Sequence, residues 1–591
     1  MTARSAITAA LLAATLPAVL PAQDLAPRVP VGVAGPVGGT CGAPSVAIGT
    51  RSTNVAWSNF DTGGTVWCAS ASGLATQFSA PVRVDRDSSG AVKLTQSDSC
   101  LRIGSRTYVF WIDGRTGSTT DDVRFNVSYD FGATFSSGDV RIPDGFGGAG
   151  EVRGFRVAGS AGANGDRLHV AMRVAPGAGA NEELWYTRSL DGGTTWSSPV
   201  RLAGNAANGI DVDQFAIAIS GDRVNLVWED DSRNGAGRDS VRHVRSLDVG
   251  ATFGPVLALD VTDAADTGDS EAPGEFGLQI RSYQNQVAVV WLEERTDPSN
   301  EEVRLAVSSD GGGVFLPDQR ISTGNPNTVD ADYLDLWLDQ GMLLVAYTDD
   351  RNGGTAPNQV RVWRRAISGG TPTETVVSDA RGASFLHFSG SGPQAALAWL
   401  TDDLVTQSVC CSLTDDTGAT WTGISTLHDV GTYDADGISV AFAPGYDNAV
   451  VSYALNSGPF GENRPWIGGV RRPTLEALGF STSAPTVRFR GTNLLEGDAT
   501  MFAVVLALTK GEGLLELPDD RDLGTAYDAF TVAGLAILPN LVGVIQVDGT
   551  ALTPALANGL PPGLTFTAVG ITVSPTVGTV RITDPVDVVV N

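Results

Sequence analysis

From about residue 44 onward the chain is written as short apolar runs cut by Gly, Asp, Asn and Pro. Runs such as "FAIAIS" and "VNLVWED" are nearly unbroken, whereas "VRHVRS" and the "PVRL" segments alternate apolar and polar residues. Alternation with period two marks a half-buried strand, and a short continuous run bounded by turn residues fits a strand covered on both faces. The order repeats along the chain: two apolar runs, an alternating third, a Gly-rich turn, then a short fourth. This predicts units of four short strands.

The turns carry the repeat most visibly. "SLDGGTTW", from Ser189 to Trp196, recurs as "SYDFGATF" from Ser128, "SLDVGATF" from Ser246, "TDDTGATW" from Thr414 and, more loosely, "SSDGGGVF" from Ser308. The aspartates at 130, 191, 248 and 310 are spaced by about 60 residues, and the next, Asp416, follows after nearly twice that. The degenerate "SGGTPTET" from Ser368 fills the gap, and "SGLATQF" from Ser72 extends the series upstream. Four strands per repeat in a chain with 71 glycines describe β-propeller blades. The box then lies between third and fourth strands, where glycine permits a tight turn and Ser and Asp bond nearby backbone N–H groups.

The motif resembles the Asp-box of sialidases and related propellers, S-x-D-x-G-x-T-W, over roughly residues 44 to 473. The resemblance implies the fold strongly and the chemistry weakly, because in that family the boxes face away from the active site. Asp130, Asp191, Asp248, Asp310 and Asp416 are accordingly read as structural. After the seventh box, "DADGISVAFAPGYDNAVVSYALNSGPFGENRPWIGGVRR" holds three strands and no box, while "APRVPVGV" from Ala26 resembles the fourth-strand segments. Closing a ring with one composite blade removes free edges. The expectation is seven to eight blades, eight being the count if the last is a composite built from residues 26–33 beside 460–473. The sialidase pattern has six.

The flanks differ in texture. "MTARSAITAALLAATLPAVLPAQ" has one early arginine, an apolar run and small residues near Ala22, which reads as a signal peptide over residues 1–22 and a secreted or cell-surface protein. The propeller is assigned to residues 23–473. Residues 474–591, with alternating runs and Gly/Pro turns, read as a small C-terminal β-sandwich.

With 39 basic and 66 acidic residues, the net charge of −27 argues against nucleic acid and anionic membrane as partners. Five cysteines are few for this length. Cys41, Cys68 and Cys100 are near enough in sequence for one bridge, whereas Cys410 and Cys411 point to opposite faces if they lie in a strand.

Candidate chemistry falls on the loops opposite the boxes. "WIDGR", "WEDDSR", "WLEER" and "YTDDR" follow second strands, and repetition favours a carboxylate–arginine pair holding each turn. "DVDQF", "DADYL" and "DADGI" open first strands; their carboxylates either converge for acid catalysis or calcium binding, or cap the turns. A sialidase needs three arginines, a Tyr–Glu nucleophile pair and an acid. The resemblance therefore nominates Arg115, Arg153, Arg233, Arg295 and Arg351 for the substrate, Tyr333 with Glu271 or Glu275 as the nucleophile pair, and Asp211 or Asp332 as the acid. The "RIP" of residues 141–143 follows a box and is read as a repeat feature. No cofactor is implied; calcium is compatible with the acidic loops, whereas the cysteine spacing and the four histidines do not suit zinc. The partner is a glycan, engaged either by exo-α-sialidase-type hydrolysis or by a non-catalytic glycan-binding or surface-interaction propeller. Three convergent arginines would favour the first, aromatic residues at the mouth the second.

Overall fold

The structure, a computed structural model, describes residues 31–32, most of 43–260 and 277–456, and strand segments within 464–589. Every regular element among these residues is a β-strand. Eight four-stranded antiparallel blades follow one another along them. Blade 3, for example, is Glu151–Ser160, Arg167–Ala175, Glu183–Ser189 and Val200–Ala203. The first strands of blades 4 to 8 begin at Val212, Leu278, Ala331, Ser384 and Asp434. In blade 2 the inner edge comes in two pieces, Val92–Leu94 and Cys100–Ile103, both paired with Arg106–Gly117.

Blade 8 is the composite. Its outer strand is Val31–Gly32, with Val31 opposite Ile467 and Gly32 opposite Trp466. The first strand of each blade packs beside that of the next, and the series returns to its start. Across the closing seam the Val46 amide donates to Ser439 Oγ at 3.4 Å, and Val46, Val55, Trp57 and Ala69 share a core with Ala441 and Ala454. The propeller is thus a closed ring of eight blades, followed by a sandwich of two small sheets built from strands between Thr474 and Val589.

The cores lie between blades, so most inner strands are covered on both faces. Arg223–Asp230 is buried from Val224 onward. Its side chains serve two cores: Val224, Leu226 and Trp228 meet Leu184 and Tyr186 of blade 3, while Val227 meets Ile280 and Trp291 of blade 5. Trp57, Trp111, Trp228, Trp291 and Trp399 all sit on second strands and are among the largest fully buried side chains. Each removes roughly 200 Å² from water, a gross gain of roughly 5 kcal/mol at about 25 cal/mol per Å².

The boxes hold blade to blade. In the blade 3 box the Gly193 amide donates to Ser189 Oγ at 2.8 Å, and Asp191 accepts from the Thr195 amide at 2.9 Å and the Thr195 hydroxyl at 2.6 Å. The boxes at Asp130, Asp248 and Asp416 repeat this pattern, and that at Asp310 keeps its backbone part. Two successive residues turn left-handed, which carries box carbonyls to the preceding blade. There Asn54 donates to the Phe131 carbonyl at 2.8 Å, Arg188 to that of Asp248 at 2.9 Å, Arg245 to that of Asp310 at 2.8 Å and Arg364 to that of Thr417 at 2.7 Å. The box is therefore an inter-blade clamp as well as a turn.

Cys68 and Cys100 are buried free thiols in one core, and Cys41 lies outside the described residues. Cys410 and Cys411 enter different cores, as neighbours on a strand must.

Candidate functional site at the mouth of the propeller

First strands begin, and second strands end, at the face opposite the boxes. The aspartates that open first strands are held there by backbone amides. Asp211 accepts from the Val212 amide at 3.1 Å and from the Glu182 amide of blade 3, and its own amide donates to Asp231 at 2.7 Å. Asp330 repeats this one blade pair on: it accepts from the Glu301 amide at 2.8 Å and donates its own to Asp350 at 2.8 Å. Burial, then the neighbouring Asp350, raises the Asp330 carboxyl above its ordinary value. Both aspartates therefore cap turns and bridge to the preceding blade. Among the described residues no group of three or more His, Cys, Asp or Glu side chains is placed to hold a metal ion. The side chains of Asp434 and Asp436 lie outside the described residues.

The repeated motif after each second strand has an equally local explanation. The buried indole N–H donates to the carboxylate two residues on: Trp111 to Asp113 at 3.0 Å, Trp228 to Asp230 at 2.6 Å, Trp291 to Glu293 at 2.9 Å. Residues i and i+2 share a strand face, which is why the spacing recurs. An arginine then neutralises the acid. In blade 2 it is Arg115, two residues further along the same strand, 2.6 Å from Asp113 and 2.8 Å from Asp139. In blade 6 it is Arg351, which also meets Glu374 at 2.9 Å, with Arg361 on the other oxygen of Asp349 at 2.9 Å. In blades 4 and 5 a third-strand residue takes the part, Arg242 at 3.8 Å from Asp230 and Arg304 at 3.9 Å from Glu293.

The rim itself is shaped by β-bulges. Register shifts interrupt the first strands of blades 3, 4, 6, 7 and 8 near their mouth ends, between Val152 and Gly154, Val212 and Phe215, Asp332 and Leu334, Ser384 and His387, and Asp436 and Ile438. A bulge adds a residue and re-aims its side chain. The added positions present Arg153, Tyr333, Phe385 and Gly437, with Asp213 and Gln214 in blade 4. Tyr333 and Phe385 have φ of 35° and 52°, left-handed values unusual for aromatic residues. Their rings come together from adjacent blades, centroids 5.0 Å apart, and both are half-buried.

Across the ring the rim is ionic. Glu182 lies 2.6 Å from Arg173 and 3.7 Å from Arg153, which also meets Glu151 at 3.0 Å, and Arg173 donates to the Asp213 carbonyl. Burial raises the Glu182 carboxyl; Asp211 and Asp213 add to this while Arg173 and Arg153 oppose it.

The nominated residues are therefore dispersed. Arg115, Arg153 and Arg351 belong to blades 2, 3 and 6 and are each engaged by carboxylates of their own blade. Asp332 accepts from Asn358 at 2.8 Å beside Tyr333. Glu271, Glu275, Arg233 and the side chain of Arg295 lie outside the described residues. "RIP" is tied into blade 2, Arg141 pairing with Asp122 and Asp144, each at 2.7 Å. The residue missed from the sequence is Phe385, since "GASFL" reads as plain strand.

No family model matches the chain, and no curated protein matches it. Among solved structures it is similar to the polysaccharide lyase Uly1, at 10% identity and TM-score 0.43, over 64% of this chain and 90% of that one. It is also similar to an ulvan lyase solved with -[GlcA(1-4)Rha3S]-, at 12% and 0.39 over 76% and 95%, and to Trypanosoma rangeli sialidase in complex with sialic acid, at 11% and 0.31 over 73% and 84%. At these identities and scores nothing about this chain's chemistry follows from them. The fold rests on its own sheets.

Proposed function

We propose that the chain is an exported glycan-binding propeller whose mouth, opposite the boxes, is the sugar-binding face. The observation that carries this reading is the Tyr333–Phe385 pair on the rim. The C–H faces of a pyranose are apolar and lie flat against aromatic rings, and the tyrosine adds a hydroxyl for orientation. Left-handed backbone at two non-glycine residues costs on the order of 1–3 kcal/mol each, and such strain collects at ligand clamps.

The finer reading, exo-α-sialidase hydrolysis, rests on the presentation of Tyr333 at the same rim, where it would be the nucleophile with Glu271 or Glu275. It needs three arginines around one carboxylate. Any three of the five nominated residues include Arg115, Arg153 or Arg351, and each of these would have to leave its own carboxylates. That demand favours binding over hydrolysis. Glycan-array binding by the chain without its signal peptide, repeated with Phe385→Ala, tests the first reading: loss of binding by a folded variant supports it, and unchanged binding sinks it. Turnover of a fluorogenic α-sialoside, abolished by Tyr333→Phe, would instead establish the second.

A further inference from the structure

Two of the four histidines, His169 and His243, are buried in consecutive seams of the ring. His169 Nδ1 lies 2.6 Å from the Tyr186 hydroxyl. That hydroxyl sits against the box of blade 4, where a Cβ on Gly250 would stand 1.9 Å from it and Phe253 meets the tyrosine ring edge-on at 4.9 Å. One seam further on, His243 Nε2 lies 3.0 Å from Asn225 Oδ1, and the ring meets Phe315 of the blade 5 box edge-on at 4.8 Å. A Cβ on Gly312 would stand 2.8 Å from His243 Cε1. His243 Nδ1 is buried without a hydrogen-bond partner.

The charges facing these rings do not welcome a proton. The positive charges of Arg188 and Arg167 act on His169, and that of Arg245 on His243. The carboxylates of the adjoining boxes are exposed and engaged within their own turns: Asp248 is bound by Ser246 and Thr252, Asp310 by Ser308, Gly313 and Val314. Asp222 is taken by Arg167 at 2.6 Å. Burial first, and the arginines second, hold His169 near 4 and His243 near 3.

We propose that the seams between blades 3 and 4 and between blades 4 and 5 are acid-released: protons taken up by His169 and His243 push the boxes of blades 4 and 5 off their neighbours while other seams stay closed. The sign follows from linkage. Stability from the neutral rings is complete above the ordinary histidine value of 6.5 and is lost as pH falls through that value toward about 4 and about 3. Among the described boxes, the glycine of blade 2 faces Asn54, that of blade 3 faces Phe125 and that of blade 7 faces Leu344, so these seams lack the device. Opening the 3–4 seam also takes apart the rim cluster of Arg153, Arg173, Glu182, Asp211 and Asp213, which coupling would extend to the mouth.

The test is hydrogen exchange on the full chain between pH 7 and pH 4, expressed as protection factors. The Gly250 and Gly312 amides, bonded to Ser246 and Ser308, should lose protection by roughly tenfold or more, while Gly132 and Gly418 hold theirs. Equal loss in all four boxes, or protection kept in the first two, overturns the proposal. His243→Gln should abolish the response of the 4–5 seam alone. Should that variant not fold, the comparison among the four native boxes decides, and an acid response persisting in a folded variant refutes the role of His243.

Discussion

The Tyr333 and Phe385 rings stand side by side across the seam of blades 6 and 7, their planes tilted by 39°. Each reaches the rim through a bulge in a first strand, and each also rests on a core: Tyr333 on that between blades 6 and 7, Phe385 on that between blades 7 and 8. A Tyr333→Ala or Phe385→Ala change should therefore weaken glycan binding by about tenfold, about 1.4 kcal/mol, and lower stability modestly. Titration calorimetry against the best array ligand, paired with melting curves, separates the two effects. Tyr333→Phe should keep most of the affinity, because the ring is retained. Full affinity after both alanine changes would remove the platform from consideration.

Asp349 is the anion of a different arrangement, buried between Arg351 and Arg361. Removing one partner of a buried pair leaves uncompensated charge, and the usual cost is about 3–5 kcal/mol. Asp349→Ala should destabilise the chain by that order, whereas Arg351→Ala, which leaves Arg361 on the carboxylate, should cost less. Neither should alter binding per folded molecule. Denaturant titration gives the stabilities. A selective loss of ligand affinity in Arg351→Ala would return that arginine to the substrate site.

The box aspartate acts on stability alone. Asp191→Ala removes the acceptor of the Thr195 amide and hydroxyl, and by analogy with helix N-caps the cost is about 0.5–2 kcal/mol. Binding should be unchanged, since the box lies at the opposite end of the blade from the rim. Affinity lost at unchanged melting temperature would contradict that placement.

Architecture was legible wherever the chain repeats itself. The Ser, Asp and Gly of each box mark the third turn of a blade, and the likeness of "APRVPVGV" to fourth strands placed Val31 beside Ile467. The rim was legible only in part. Tyr333 could be nominated because it follows "DAD", but its left-handed backbone, and that of Phe385, arise from register against the second strand, which no local pattern encodes. The role of the loop acids was ambiguous for a similar reason. Whether Asp211 faces a ligand or the Glu182 amide depends on how two blades meet, so spacing within one blade leaves both readings open.

The position after the box aspartate is strained in blades 2, 4 and 7, where it is Phe131, Val249 and Thr417, and relaxed in blades 3 and 5, where it is glycine. The residue after the aspartate is left-handed in every described box: Gly192 at φ 70° in blade 3, Gly311 at 78° in blade 5, but Val249 at 59° in blade 4. Left-handed backbone costs an L-residue roughly 1–2 kcal/mol, and a β-branched side chain is the least suited to it. What the turn needs from Val249 is its carbonyl, which accepts from Arg188, and its amide, which donates to the Asp222 carbonyl at 2.8 Å. Glycine supplies both. Val249→Gly relieves the strain at some cost from the freer unfolded chain, and Val249→Asn tolerates the same backbone with less of that cost. Both variants should melt higher than the parent, by about 0.5–1 kcal/mol, with asparagine at least equal to glycine. Calorimetric melting of the three proteins decides the matter: a lower melting temperature in both variants would mean that the valine side chain stabilises the seam through packing that outweighs its backbone strain.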